Sequence, residues 1–255
     1  MPSAIEQSFD QSVLTLTFNR PEKKNALTLA MYEALAAAMR DAEARDDVRV
    51  LLLTGSGGAF TSGNDLADFA ANPQAGEGSP VMQFLLTMQA LAKPVIAAVD
   101  GLAVGVGATM LLHCDLVYAS DRSRFQLPFV NLGLCPENAA TLLLPQRAGA
   151  LLANELLLFG EPFDARTAQE AGLVNRVIPP AELLAVARER AGALAAKPPA
   201  AIRATKRLLR EAHGGAAVAA IHREAKVFAE RLSSPEAQEA FTAFFEKRKA
   251  DFSRF

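Results

Sequence analysis

Glu137 is the side chain best placed by its surroundings to do chemistry. In LPFVNLGLCPENAATLLLP, residues 127–145, it is the single carboxylate of an apolar, small-residue run, with no Lys or Arg within nine positions. Taking an unpaired carboxylate out of water costs several kcal/mol, or raises its pKa until it is neutral. Two readings follow. Glu137 is either an acid in the first turn of a helix, turned to solvent and complementing unpaired N–H groups, or a proton-transfer group kept basic by the absence of cations.

Two glycine-rich stretches offer complementary chemistry: GGAFTSGND at 57–65 and GLAVGVG at 101–107. Each follows an apolar strand-like run and precedes a helical one. A dinucleotide fingerprint fails because Met110 stands where the third glycine of GxGxxG belongs. No Walker A lysine and no GxSxG elbow is present. What remains is backbone chemistry: amide N–H groups at a turn entering a helix are unpaired and aim outward, and two of them converging make an oxyanion hole. Two ordinary tight turns are the other reading.

The elements that position these residues are α/β in pattern. SVLTLTF at 12–18 has the period-two alternation of a half-buried strand, with Leu14, Leu16 and Phe18 on one face. Residues 28–44 read as a helix, with Thr28 as N-cap and Leu29, Tyr32, Leu35, Ala36 and Met39 as its apolar stripe. VRVLLLTG at 48–55 is a buried strand. A short helix follows the first glycine stretch, and NPQAGEGSP at 72–80 has the composition of an exposed loop. A helix at 81–91, the strand PVIAAV, a glycine turn and a helix at 103–112 come next. DLVYAS is a further strand, with a short one around Phe125 and helices running to about 159. From about 181 the strands stop and four helices are expected: 181–196, 199–212, 216–232 and 235–248, the last capped by Ser234 with Pro235 at its first position.

Bulk composition excludes several functions. At 255 residues and 51% hydrophobic, the chain can build a sizeable core. A formal net charge of −2 leaves no electrostatic footprint for nucleic acid or an anionic membrane. Cys114 and Cys135 lack CxxC spacing, and His113, His213 and His222 form no metal-binding pattern, so buried thiols and no metal are expected. The run Val95–Leu112 is long enough to span a bilayer, but Asp100 would cost about 3 kcal/mol there. A buried strand, a turn and a buried helix fit it better. The polar, acidic MPSAIEQSFDQ has no apolar signal region, which points to the cytoplasm.

NRPEKKNAL, GGAFTSGNDL, KPVIAAVDGLAVGVGATMLLHCDLVYAS, AQEAGLVNRVIP, KPPAAIRATKRLL and FFEKRKADF occur in this order. As an ordered set they resemble the enoyl-CoA hydratase/isomerase (crotonase) superfamily over residues 12–252. The resemblance implies a crotonase-like α/β spiral of strand-strand-helix repeats carrying the acyl-CoA site over residues 1–195. It also implies a C-terminal helical region, 196–255, that makes oligomer contacts in a homotrimer or hexamer. The substrate it implies is an acyl-CoA thioester, coenzyme A being part of the substrate with no separate cofactor. The thioester oxygen would be held by the N–H groups of Asn64 and Val106. Lys24, Ala26 and Leu27 would lie along the CoA, Asp65 and Leu66 would flank its adenine pocket, and Phe244 and Lys247 would reach the nucleotide of an adjoining subunit. Met82, Phe84 and Leu85 would accept the acyl chain or, on the other reading, pack only against the core.

Hydratases of the family use two glutamates, and the corresponding positions here are Thr109 and Phe129. The segment DRSRFQLPFVNLGLCPENAATLLLP instead resembles the Δ3,Δ2-enoyl-CoA isomerases, in which the acid after Pro is the base. That assigns Glu137 the acid/base role. A hydratase or thioester hydrolase using water held by Asn138 or Thr109 is the second enzymatic reading, and a non-catalytic acyl-CoA binder the third.

Overall fold

A computed structural model of the protein describes residues 3–71, 78–211 and 214–255. Its main sheet has six strands in the order β1-β2-β3-β4-β6-β9. β1 (Ile5–Asp10) and β2 (Val13–Phe18) form an antiparallel hairpin. α1 (Leu29–Ala44) then crosses over to β3 (Val50–Gly55), parallel to β2 with Leu14 opposite Leu51. α2 (Leu66–Ala71) and α3 (Pro80–Ala90) precede β4 (Val95–Val99), and β5 (Leu102–Val104), α4 (Val106–Thr109) and a 3₁₀ turn over Met110–His113 lead into β6 (Leu116–Ser120).

β7 (Arg124–Gln126) pairs with β5 and with β8 (Phe163–Asp164) in a second, three-stranded sheet. Between these strands lie α5 (Ala140–Ala148) and α6 (Ala150–Phe159). α7 (Ala165–Glu170) leads to β9 (Arg176–Ile178), the last strand of the main sheet. The chain ends in α8 (Pro180–Ala195), α9 (Pro199–Glu211), α10 (Gly214–Leu232) and α11 (Pro235–Phe245).

The continuous apolar runs of β3 and β4 follow from coverage on both faces. Leu51, Leu53, Val95, Ala97 and Val99 join the large core beneath α1 and α3, whereas Val50, Leu52, Ile96 and Ala98 face a second cluster closed by Leu183, Ala187 and Ala191 of α8. The C-terminal helices share the large core: Ala217, Ala220, Ile221 and Ala237 are buried in it. Thr28 accepts from the Met31 N–H and Ser234 from the Ala237 N–H, so both N-caps expected from the sequence form.

One expectation is corrected. The helix expected at 103–112 is a strand at Leu102–Val104 followed by a short helix from Val106. Its backbone is taken by non-local partners: Thr61 N–H donates to Leu102 O at 2.8 Å, and Val104 N–H donates to Thr61 O at 3.1 Å. The hairpin strand β1 was not evident from the pattern, because five of its six residues are exposed. Asp100, the charge inside the apolar run, is held by the Ser120 hydroxyl at 2.7 Å and by Arg122. Among the described residues no helix is long and apolar enough to cross a membrane. The expected loop at 72–80 falls, over 72–77, outside the described residues.

Candidate active site

The two glycine turns lie against each other. Gly63, at φ +87°, packs so closely on Val104 that a Cβ would come within 2.7 Å of the Val104 carbonyl oxygen. Gly107 lies against Thr61, where a Cβ would meet Thr61 Cγ2 at 2.6 Å. These approaches bring the stretch ending in Asn64 alongside the start of α4 at Val106. At the isolated parallel bridge between Leu27 and Asn64, Leu27 N–H donates to Gly63 O and Asp65 N–H to Leu27 O, both at 2.8 Å. That pattern leaves the Asn64 N–H outside the ladder. Val106 follows the cap residue Gly105 and so has no intrahelical acceptor for its own N–H.

Asn25 locks the loop before this bridge. Fully buried at φ +57°, it donates through Nδ2 to Ser56 O at 2.9 Å and Ala59 O at 2.7 Å, and its Oδ1 accepts from the Arg20 N–H at 2.8 Å. Asn64 is fixed from the other side: the Tyr32 hydroxyl donates to its Oδ1. Tyr32 is buried, and burial first, then the charge of Glu137, pushes its phenol well above the ordinary range, so it remains a donor.

A cleft of about 710 Å³ opens in front of both turns. Asn64, Asp65, Leu66, Gly105, Val106, Leu134 and Glu137 line it, with Lys24 and Ala26 on one flank and Phe228, Phe241, Phe244 and Phe245 of the C-terminal helices on the other. A smaller chamber of about 60 Å³ adjoins it, lined by Phe69, Met82, Leu85, Glu137, Asn138 and Phe228. Glu137 belongs to both linings and so marks their junction.

The structure locates the remaining candidates unevenly. Leu27 lines neither cavity: its side chain is 2% exposed within the core and its backbone pairs with Asn64. Lys247 lies outside both linings, just past α11, where its N–H bonds Phe244 O. Phe84 is fully buried against Tyr32, with ring centroids 5.4 Å apart, and only Met82 and Leu85 of that trio reach the chamber. The Asp65 carboxylate pairs with Arg20 at 3.1 Å, and backbone N–H groups of Ala67 and Asp68 also bond it. Together they hold it below the usual carboxylate range despite partial burial.

Glu137 has no such partner. It is 6% exposed and its Oε1 is buried without a hydrogen bond. α5 begins at Ala140, not near Pro136, because Asn138 and Ala139 both adopt left-handed backbone at φ 62° and 58°. The solvent-facing first-turn reading of Glu137 is therefore corrected: the left-handed pair directs the acid inward. Burial, and secondarily the charge of Glu224, raises its pKa to about 8. His113 steadies the turn: its Nε2 lies 2.8 Å from Asn138 O, and burial holds it at about 4, so the ring is neutral. Tyr32 and His113 sit in apolar helical patterns where only a polar tip distinguishes them, and Glu224 stands among the charged residues of α10 as one more helix acid.

The family model for enoyl-CoA hydratase/isomerase matches residues 8–254. The chain belongs to the enoyl-CoA hydratase/isomerase family. Among solved structures, the enoyl-CoA hydratase/isomerase of Pseudoalteromonas atlantica T6c superposes with a TM-score of 0.93 at 44% identity, covering 98% of this chain and 100% of that one. The 2,3-dehydroadipyl-CoA hydratase of Escherichia coli K12 is 35% identical over 98% of both chains. Enoyl-CoA delta isomerase 2 of Rattus norvegicus is 38% identical over 78% of this chain and 52% of its own length. Hydratase and isomerase names thus both occur among relatives of this acyl-CoA enzyme family, and the names do not choose between the two activities.

Proposed function

We propose that the protein is a Δ3,Δ2-enoyl-CoA isomerase in which Glu137 is the single acid/base. One observation carries this reading. Among the described residues two carboxylates line the cleft: Asp65 is tied to Arg20, and Glu137 is buried with an unpaired oxygen at the junction with the inner chamber. The two positions that resemblance assigns to hydratase glutamates hold Thr109 and Phe129, the first fully buried and the second 4% exposed; neither carries an acid.

The thioester oxygen would sit between the N–H groups of Asn64 and Val106, with the acyl chain running past Glu137 into the chamber at Met82 and Leu85. The Glu137 carboxylate takes a proton from C2. The electron pair of that C–H bond forms a dienolate whose oxygen is held by the two amides, each worth about 3–4 kcal/mol in such a site. Glu137 then returns the proton to C4, and the double bond moves from C3–C4 to C2–C3 with no change in composition. Lys24, Ala26, Asp65, Leu66 and Phe244 would contact the CoA portion. Leu27 would act through its backbone, and Lys247 from a neighbouring subunit. We also read exposed Leu151, Leu158, Phe159, Leu208 and Leu209 as faces covered in a homotrimer or hexamer; light scattering of the purified protein tests this.

A hydratase reading has one specific support: Asn138 is fully buried in the chamber beside Glu137 with Nδ2 and Oδ1 unpaired, donor and acceptor suited to a water. Incubating the protein separately with 3-hexenoyl-CoA and 2-hexenoyl-CoA decides the matter. Formation of the conjugated thioester from the first, lost in Glu137→Gln, supports isomerisation. Water addition to the second at comparable rate, with no turnover of the first, overturns it.

A further inference from the structure

Glu224 on α10 is a second buried carboxyl, 6% exposed, next to the segment that carries Glu137. Its helix neighbours Ile221, Ala225 and Phe228, three before, one after and four after it, line the inner chamber together with Glu137 and Asn138. Glu224 Oε1 accepts from the Thr141 N–H at 2.9 Å and from the Thr141 hydroxyl. This supplies from another helix the cap that α5 lacks, since its N-cap residue Ala139 has no side-chain acceptor. Cys135 Sγ lies 3.7 Å from Glu224 O, so Glu224 contacts the 135–141 segment on both sides of Glu137. Its second oxygen, Oε2, is buried without a partner, as is Glu137 Oε1.

We propose that Glu224 is a positioning residue for Glu137, the two buried carboxyls forming one proton-holding pair in which Glu224 carries the charge and Glu137 the proton. The asymmetry has a structural cause. Burial raises the Glu224 carboxyl above the ordinary range, but two Thr141 donors and Arg223 oppose that rise. Among the described residues Glu137 has no donor, and Glu224 is the charge acting on it. The other ionisable groups around the pair do not alter this order. Tyr32 on α1 feels Glu137, and Cys135 feels both acids. Arg231 on α10 is engaged by Glu236, and Arg147 on α5 by Leu112 O. α3 carries no ionisable side chain over residues 80–90, and Glu239 of α11 is bound by Arg248. A like charge close by makes the second carboxyl harder to ionise. The inference rests on the isomerase reading only for the use made of that basicity.

Carboxyl ¹³C NMR on protein labelled at Glu Cδ tests the pair without turnover, with Glu137→Gln assigning the Glu137 resonance. Glu224→Gln keeps an acceptor for Thr141 and removes the charge. It should lower the Glu137 midpoint by about one pH unit or more and move the pH dependence of kcat/KM by the same amount, with KM little changed. A merely structural role would lower kcat or stability and leave the midpoint in place, and that result overturns the proposal. Should Glu224→Gln not fold, the wild type decides: each of the two resonances should register the other's titration, and two unlinked single-step curves contradict the pair. An inactive protein with linked titrations sinks the isomerase reading alone; an active isomerase with unlinked titrations sinks the pair alone.

Discussion

Two regions of this molecule bury charge, and they do it in opposite ways. Under α9, Lys206 is 5% exposed, yet its Nζ donates to Lys93 O at 2.6 Å and to Asp115 Oδ2 at 2.7 Å. Lys93 Nζ in turn donates to the carbonyls of Ala42 and Arg45. Every charge in that cluster meets a partner. At the α5 entrance, Glu137, Asn138 and Glu224 are equally buried, and all of the buried side-chain atoms without a hydrogen bond among the described residues belong to them. A satisfied buried network specifies a fold; an unsatisfied one has a stability cost that a reaction can use.

The contrast is sharpest for activity. Glu137→Gln should lower kcat/KM for 3-enoyl-CoA by about 10²–10⁴-fold, whereas Lys206→Met should leave the kinetics of the folded protein close to wild type; spectrophotometric assays of both variants check this. For stability the order reverses. Lys206→Met removes the donor to Lys93 O and leaves the partly exposed Asp115 with Arg210 as its remaining cation, and should cost about 1–3 kcal/mol in chemical denaturation.

Glu137→Gln should stabilise the protein at alkaline pH. The raised folded-state pKa of Glu137, about 8 against 4.5, means that its ionisation disfavours the fold. The associated stability is fully present below about pH 4.5 and is lost as pH rises to about 8. Melting curves of wild type and variant should therefore diverge with rising pH, the variant gaining a few kcal/mol above pH 8. Equal slopes would show that the acid is solvated. The smallest effect is at Tyr32→Phe, which removes the donor to the Asn64 side chain: about 1 kcal/mol in stability and a several-fold drop in kcat with KM nearly unchanged.

The sequence singled out Glu137 as a carboxylate in a cation-free apolar run, a pattern that left open two readings between which the family resemblance chose. It made β3 and β4 legible because strands covered on both faces become continuous apolar runs, and α11 legible through Ser234 and Pro235. It hid β5, whose partners Thr61 and Gln126 lie more than twenty residues away in sequence, and it hid Tyr32 and Glu224, which read as one more core aromatic and one more helix acid. Local pattern records how an element meets water. It does not record which distant polar atom meets which.

The central claim is that one buried carboxylate performs both proton transfers. The pH dependence of kcat/KM for 3-hexenoyl-CoA tests it most directly. The claim predicts a rate that rises with pH through a midpoint near 8 and falls by about 10²–10⁴-fold in Glu137→Gln. A profile flat from about pH 6 to 9, with the Gln variant still turning over at the wild-type rate, would contradict it.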